Sequence, residues 1–213
     1  MLIRLIGRVR VSQNCVLVLI RRTNLILLEM ERLNDFLLTT SSEIKMANWA
    51  AIGSIILPNA GGWANGIFFA GQIRKDNEKA WYDELKKPSW NPPKWVFGPA
   101  WTVLYSGMGY ASYLVYEECG GFTDEAVLPL TLYGGQLLLN WAWTPIFFGL
   151  KDFKLAFIEI SVLSGAAVAT TASFAQVSKP AAALLLPYLA WLAFASSLSY
   201  YIWKNNPKDE KKQ

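Results

Sequence analysis

The sequence predicts an all-α membrane protein, a bundle of five transmembrane helices. Three observations lead there. The first is composition: the 213 residues are 53% hydrophobic and 17% charged, against roughly 25% charged in an average protein. The second is the gathering of apolar residues into runs. No charge falls between Ala126 and Leu150 or between Pro180 and Trp203, none lies inside the ends Lys94 and Glu117, and only Glu159 interrupts Leu155–Val177. Each run exceeds the ~20 residues that cross a hydrocarbon core. The third is one-sided charge. With five spans, one side holds Arg74, Lys75, Lys79, Lys86, Lys87, Lys94, Lys151, Lys154, Lys204, Lys208, Lys211 and Lys212, and the other side, from Met46 onward, holds Lys179 alone. Cytosolic loops carry the excess of Lys and Arg. The carboxy terminus and the first long loop are therefore expected in the cytosol.

Taken in order, residues 1–45 read as an N-terminal extension, either disordered or not part of the fold. Arg4, Arg8, Arg10, Arg21 and Arg22 precede the first acid, Glu29. An arginine-rich, acid-poor start is similar to a mitochondrial presequence. The alternative is that translation begins at Met46 and the stretch is upstream sequence. Its basic residues would sit on the side otherwise nearly free of them, which favours the alternative. The "CVLVLI" segment is too short to span.

The bundle is expected over 46–206. Its first span, about 46–72, is the weakest and contains Pro58, Asn59, Gly61 and Gly62. These would break or kink a soluble helix, but neighbouring helices satisfy freed backbone groups in a membrane bundle. A loop of about 73–93 follows, and then the spans near 94–117, 126–150, 155–177 and 180–203. Residues 207–213 form a charged tail.

Helices in lipid pack by close approach of small residues. Stripes spaced by four occur at Gly62, Gly66 and Ala70, at Gly107 and Ala111, at Thr131 and Gly135, and at Ser161, Gly165, Ala169 and Ser173. Most are expected to pack inside one bundle. The third span's stripe, Thr131 and Gly135, is the best candidate for contact between subunits, giving a homodimer.

Several chemistries drop out. Histidine is absent, and Cys15 and Cys119 are far apart. That removes the commonest metal ligand and the usual general base. The expectation is no catalytic group, no metal, no cofactor and no nucleic-acid partner.

Polar and aromatic residues inside the spans are more informative. Gln136 and Asn140 are amides within "GGQLLLNWAWTPIFFG", and an amide at membrane depth turns toward the protein interior. Trp81, Trp90 and Trp203 suit the interfacial belt, whereas Trp101 and Trp143 sit inside apolar runs. Periodicity alone leaves open an aromatic ligand pocket or plain helix packing. Glu159, one turn from Lys154, is expected to be a solvated or hydrogen-bonded end residue. Leu198, Tyr200 and Lys204 match a weak L/V-x-Y-x-K/R pattern proposed for cholesterol.

The stretches "KPSWNPPKWVFGPAWTVLYSGMGYASYLVY", "GGFTDEAVLPLTLYGGQLLLNWAWTPIFFG", "SGAAVATT" and "LPYLAWLAFASSLSYYIWKNN" resemble the translocator protein family, also called tryptophan-rich sensory proteins or peripheral benzodiazepine receptors. The resemblance covers about 46–206 and is closest to the animal branch. It implies five helices in the mitochondrial outer membrane. It also implies binding of cholesterol and of tetrapyrroles such as protoporphyrin IX, a link to cholesterol transport for steroid synthesis, and the voltage-dependent anion channel as a partner. By matching positions, Phe97, Trp101, Asn140, Trp143, Phe148, Ala195 and Leu198 would line the pocket, and Leu198, Tyr200 and Lys204 fall on the cholesterol segment. Departures from the mammalian pattern are Leu155 for a pocket tryptophan, Arg74 near a small apolar residue, and Asn91 and Lys94 for loop histidines. Competing roles are porphyrin breakdown by an enzyme-like protein, stress sensing or regulation, and a channel. Binding is preferred, because the spans carry no acid–base set and few polar groups.

Overall fold

The computed structural model describes residues 13–75 and 79–207. Every regular element among them is helical: α1 (Gln13–Lys75), α2 (Lys79–Glu84), α3 (Lys94–Glu118), α4 (Asp124–Thr144), a π-helical turn (Pro145–Gly149), α5 (Phe153–Val177) and α6 (Lys179–Asn205). The expectations for residues 1–12 and 208–213, including Lys208, Lys211 and Lys212, lie outside the described residues, as do the side chains of Ala70, Arg74 and Trp81.

The chain divides into two units, Met1–Trp49 and Ala50–Gln213. In the first, Leu28, Met30, Leu33, Phe36 and Leu38 are exposed, and Arg32 lies 3.7 Å from Glu29. The second unit holds the core and the site.

Local chemistry sets the ends of the helices in that unit. At the end of α3, Gly120 takes φ +71°, its N–H reaches the Glu117 carbonyl at 3.0 Å, and the Gly121 N–H reaches that of Tyr116 at 2.8 Å. This is the Schellman arrangement, and its left-handed residue suits glycine. Asp124 and Glu125 occupy the first turn of α4, where the helix dipole favours negative charge. Asp152 caps α5, its carboxylate accepting from the Leu155 N–H at 3.0 Å. Pro180 stands in the first turn of α6, where its missing N–H costs nothing.

In the bundle α3 packs on α6, α6 on α5, and α5 on α4. Residues of α1 reach both α3 and α4. Asn59 Nδ2 donates to Ser106 Oγ of α3 at 3.1 Å, and Asn65 Nδ2 donates to the Trp141 carbonyl of α4 at 3.3 Å. The core is built from Met108, Ala111 and Val115 of α3, Leu137 of α4, Leu163, Ala167 and Phe174 of α5, and Leu185, Tyr188 and Leu192 of α6.

Two prolines explain where α1 meets its neighbours. A proline gives no N–H to the carbonyl four residues back. Pro58 thus frees the Ser54 carbonyl, and a Cβ placed on Gly109 of α3 would collide with that oxygen. Pro145 frees the Trp141 carbonyl, which is the one Asn65 takes.

Two expectations need correction, and two hold in part. The segment 73–93 is not one loop, because α1 runs to Lys75 and α2 interrupts it. Packing holds α2: the Tyr82 ring lies 6.4 Å from Phe147 and 5.9 Å from Phe148. Of the five expected spans, α5 and α6 are long and apolar enough to cross a membrane by length and hydropathy. The others carry the Trp, Tyr, Pro and Gly residues that build the site, and these lower their hydropathy. The small-residue stripes mark the tight approaches only in part. Gly62 of the first stripe abuts Tyr105, but Gly66, Gly135 and Gly165 have open space beside them, and Gly61 and Gly109, which belong to no stripe, abut Trp141 and α1. Finally, Glu159 is not solvated. It is buried, and neither carboxylate oxygen has a hydrogen-bond partner among the described residues.

Candidate ligand-binding site

The bundle forms a partly open cavity of about 780 Å³, with lining residues from every helix of the unit. Such a volume suits one ligand of drug or sterol size. Gly62, Trp63, Gly66 and Ile67 come from α1, Phe97, Trp101 and Tyr105 from α3, and Asn140, Trp143 and Thr144 from α4. The π-turn gives Phe147 and Phe148, α5 gives Ile160 and Leu163, and α6 gives Trp191, Leu192, Ala195, Leu198, Ser199 and Ile202.

The walls are mostly aromatic. The Trp101 ring lies 5.2 Å from Tyr105, 6.4 Å from Tyr188 and 6.3 Å from Trp191. Phe97 meets Trp191 edge to face at 6.0 Å. Across the cavity Trp143 stacks on Phe147 at 4.8 Å, and Phe147 meets Phe148 at 4.9 Å. The π-turn places both phenylalanines here, since one wide turn after Trp143 re-aims the side chains that follow.

The polar groups gather in one chain of hydrogen bonds. Tyr105 Oη donates to Asn140 Oδ1 at 2.5 Å. Asn140 Nδ2 donates to Tyr188 Oη at 3.0 Å, and Tyr188 Oη donates to Gln136 Oε1 at 2.8 Å. All four residues are buried. The chain ties α3, α4 and α6 together and fixes Asn140 at the cavity wall.

Charge appears at the mouth. Tyr82 of α2 and Lys94, first residue of α3, both line the cavity. Lys94 Nζ lies 2.5 Å from Asp83 Oδ1 and 5.3 Å from the centre of the Tyr82 ring. Lys87 Nζ is 3.9 Å from the same carboxylate oxygen, donates to the Tyr82 carbonyl at 2.6 Å, and lies 4.3 Å from the ring centre. The hydrogen bond from Lys94 holds the Asp83 carboxyl below the usual aspartate range, with the charge of Lys87 adding to it. Burial, and then Asp83, push the Tyr82 phenol up.

Phe97, Trp101, Asn140, Trp143, Phe148, Ala195 and Leu198 all line this one cavity. Of Leu198, Tyr200 and Lys204, the last two come together, with Lys204 Nζ 5.8 Å from the centre of the Tyr200 ring, and Leu198 stands apart. Leu198 is buried at the cavity, whereas Tyr200 is 48% exposed, because residues two apart on a helix point roughly 200° apart. Tyr200 instead packs against Phe157 at 5.3 Å and Trp203 at 5.9 Å, and Lys204 Nζ lies over the Trp203 ring at 4.3 Å. Trp203 stacks on Phe157 and takes no part in the cavity. Leu155 is 41% exposed and also lies outside the cavity lining.

Sequence reasoning missed Tyr105, Tyr188, Trp191 and Phe147. A signal for the two tyrosines was present: Gln136 and Asn140 sit four apart on one face and need partners, and phenols within apolar runs can supply them.

A model of the TspO/MBR family matches residues 54–204. The Translocator protein of Homo sapiens is 52% identical over 156 residues, covering 73% of this chain and 89% of the relative. That of Ovis aries is 49% identical over the same lengths. The Tryptophan-rich protein TspO of Chlorobaculum tepidum is 41% identical over 142 residues, 66% of this chain and 89% of the relative. With the match running through the helices that line the cavity, the chain belongs to the TspO/MBR family, a family of membrane proteins.

Proposed function

We propose that this chain is a five-span protein of the mitochondrial outer membrane that binds tetrapyrroles such as protoporphyrin IX in its cavity and cholesterol on the outer side of α6. In this reading it serves cholesterol transport and porphyrin handling. The observation that carries it is the convergence of the seven residues named by the family resemblance on one aromatic cavity. Flat indole and phenyl faces suit a flat apolar macrocycle, and Asn140, held by two tyrosines, offers the polar edge that fixes orientation. The exposed Tyr200 face, flanked by Phe157 and Lys204, supports the sterol site. The role is binding rather than turnover.

Topology and partners follow the same reading. The Lys86 N–H donates to Asn206 Oδ1 at 2.8 Å, and Asn206 Nδ2 donates back to the Lys86 carbonyl at 3.0 Å. The first long connection and the end of α6 thus share one end of the bundle, which supports a common cytosolic side. Thr131 and Gly135 face outward on α4 beside the exposed Leu128 and Leu138, which supports a homodimer through that face. The voltage-dependent anion channel remains a partner by resemblance.

The test is tryptophan fluorescence in sterol-containing nanodiscs titrated with protoporphyrin IX. Trp143→Leu should weaken both quenching and affinity, and Trp203→Leu should leave affinity unchanged. Equal effects from the two would reduce the cavity assignment to general membrane aromatics.

A further inference from the structure

The cavity is apolar along its walls, yet its mouth carries one cation. Among the described lining residues Lys94 is the only charged one. Its ammonium is held by Asp83, which belongs to α2 and does not itself line the cavity. Asp83 is a carboxylate brought from outside to the mouth of an apolar chamber. The potential there favours an anion: Lys87 stands 3.9 Å from the same oxygen, and α3 begins at Lys94, so its helix dipole adds positive character.

We propose that Lys94 is a carboxylate-reading subsite and that Asp83 is its resident occupant. A ligand with an apolar body and a carboxylate head binds by laying its body along the Trp101 and Trp143 walls and taking Asp83's place on Lys94. The exchange has a structural consequence. Asp83 follows Tyr82, which also lines the mouth, so releasing Asp83 loosens the ionic hold of α2 on α3. Ligand entry and release of the mouth are then one event. The swap replaces one ion pair by another, with no net loss of paired charge. A neutral ligand of the same shape gains nothing from Lys94 and leaves the Asp83 pair closed. The subsite thus selects acids over their esters.

This inference rests on the cavity being the ligand site, and its test separates the two. Protoporphyrin IX and its dimethyl ester share one body and differ in ionised carboxylates. Both are titrated against the full chain in nanodiscs by tryptophan quenching. The readout is the acid-to-ester affinity ratio, compared between variants so that partition into the bilayer cancels. Lys94 is 61% exposed and Asp83 54%, so the effect is modest, about three- to fivefold. Asp83→Asn should raise the ratio by about that factor, since the competitor is gone. Lys94→Gln should lower it similarly, and Lys94→Arg should keep it. In the double variant Asp83→Asn/Lys94→Gln, the gain from Asp83→Asn should vanish. A ratio indifferent to Asp83 and Lys94, with ester binding still sensitive to Trp143→Leu, overturns the subsite and leaves the cavity standing. Ester binding indifferent to Trp143→Leu removes the cavity reading and this inference with it.

Discussion

Gly109→Ala isolates the meeting of α1 and α3. In a helix interior, exchanging glycine for alanine gains about 1 kcal/mol of propensity. Position 109 does not allow that gain to appear. The new methyl would run into the Ser54 carbonyl oxygen, and it would stand 2.9 Å from both Ile55 Cα and Ser54 C. These are backbone atoms, so no side chain can rotate away, and one helix must move. Overpacking of this kind costs about 1–3 kcal/mol. The net expectation is destabilisation of up to about 2 kcal/mol once the propensity gain is subtracted, and of about 1–3 kcal/mol relative to a glycine-to-alanine exchange in open space. Gly165→Ala is the control, because nothing lies within 4 Å of a Cβ there. It should be neutral or slightly stabilising. Gly107→Ala, 3.7 Å from the Leu184 carbonyl oxygen, should fall between them. The assay is reversible unfolding in mixed dodecyl maltoside and SDS micelles, followed by near-ultraviolet circular dichroism. If Gly109→Ala proves as stable as Gly165→Ala, the close approach of α1 to α3 is not a packing constraint and the reasoning fails.

Other outcomes can be stated more briefly. A double-mutant cycle of Asn140→Leu and Tyr188→Phe in the same assay should give a coupling of about 0.6 kcal/mol and not above ~1.7 kcal/mol, the range for hydrogen bonds between membrane helices; zero coupling would dissolve the proposed chain of hydrogen bonds. Tyr200→Ser should weaken labelling by photo-crosslinkable cholesterol by about 1–2 kcal/mol, the low end for burying an aromatic side chain, while Leu198→Ala should act on porphyrin instead, since only Leu198 faces the cavity. Asp83 should titrate below ordinary aspartate because Lys94 and Lys87 stabilise its charged form. Its ion pair is thus fully present above the ordinary aspartate pKa and lost as pH falls through the depressed value. Carboxyl carbon chemical shifts in labelled protein would show this midpoint, and Lys94→Gln should move it upward; an unmoved midpoint would mean that the pair does not form.

Charge made the helix boundaries legible. A run bounded by Lys94 and Glu117 becomes a helix from Lys94 to Glu118, because ionised side chains stop at the interface while apolar ones continue. The cavity residues were legible as types, since indoles and amides inside apolar runs need protein around them. Their convergence was not legible, because it depends on which helices are neighbours. α2 escaped notice because six residues carry too little periodicity, and its place is set by Tyr82 against Phe147 and Phe148. The cholesterol pattern counts residues along the chain and carries no helix rotation, so it could not show that Leu198 turns to the cavity while Tyr200 turns outward. Glu159 misled for a related reason: its distance from Lys154 in sequence says nothing about which way its helix face turns.

The two freed carbonyls bear on how the molecule assembles. Helices in a bilayer can slide past one another with little change in apolar surface, so hydrophobicity alone sets register poorly. Pro58 and Pro145 leave a bare oxygen on α1 and on α4. A bare carbonyl in hydrocarbon is costly. Asn65 donates to the one at Trp141, and Gly109, bare of a side chain, lets α3 lie against the one at Ser54. A slip by one turn would expose both oxygens at once. Pro145 therefore acts as an error-checking mark, a defect that correct docking repairs, and Pro58 marks the place where α3 has to present a glycine. Each should be exchangeable only together with the residue that answers it.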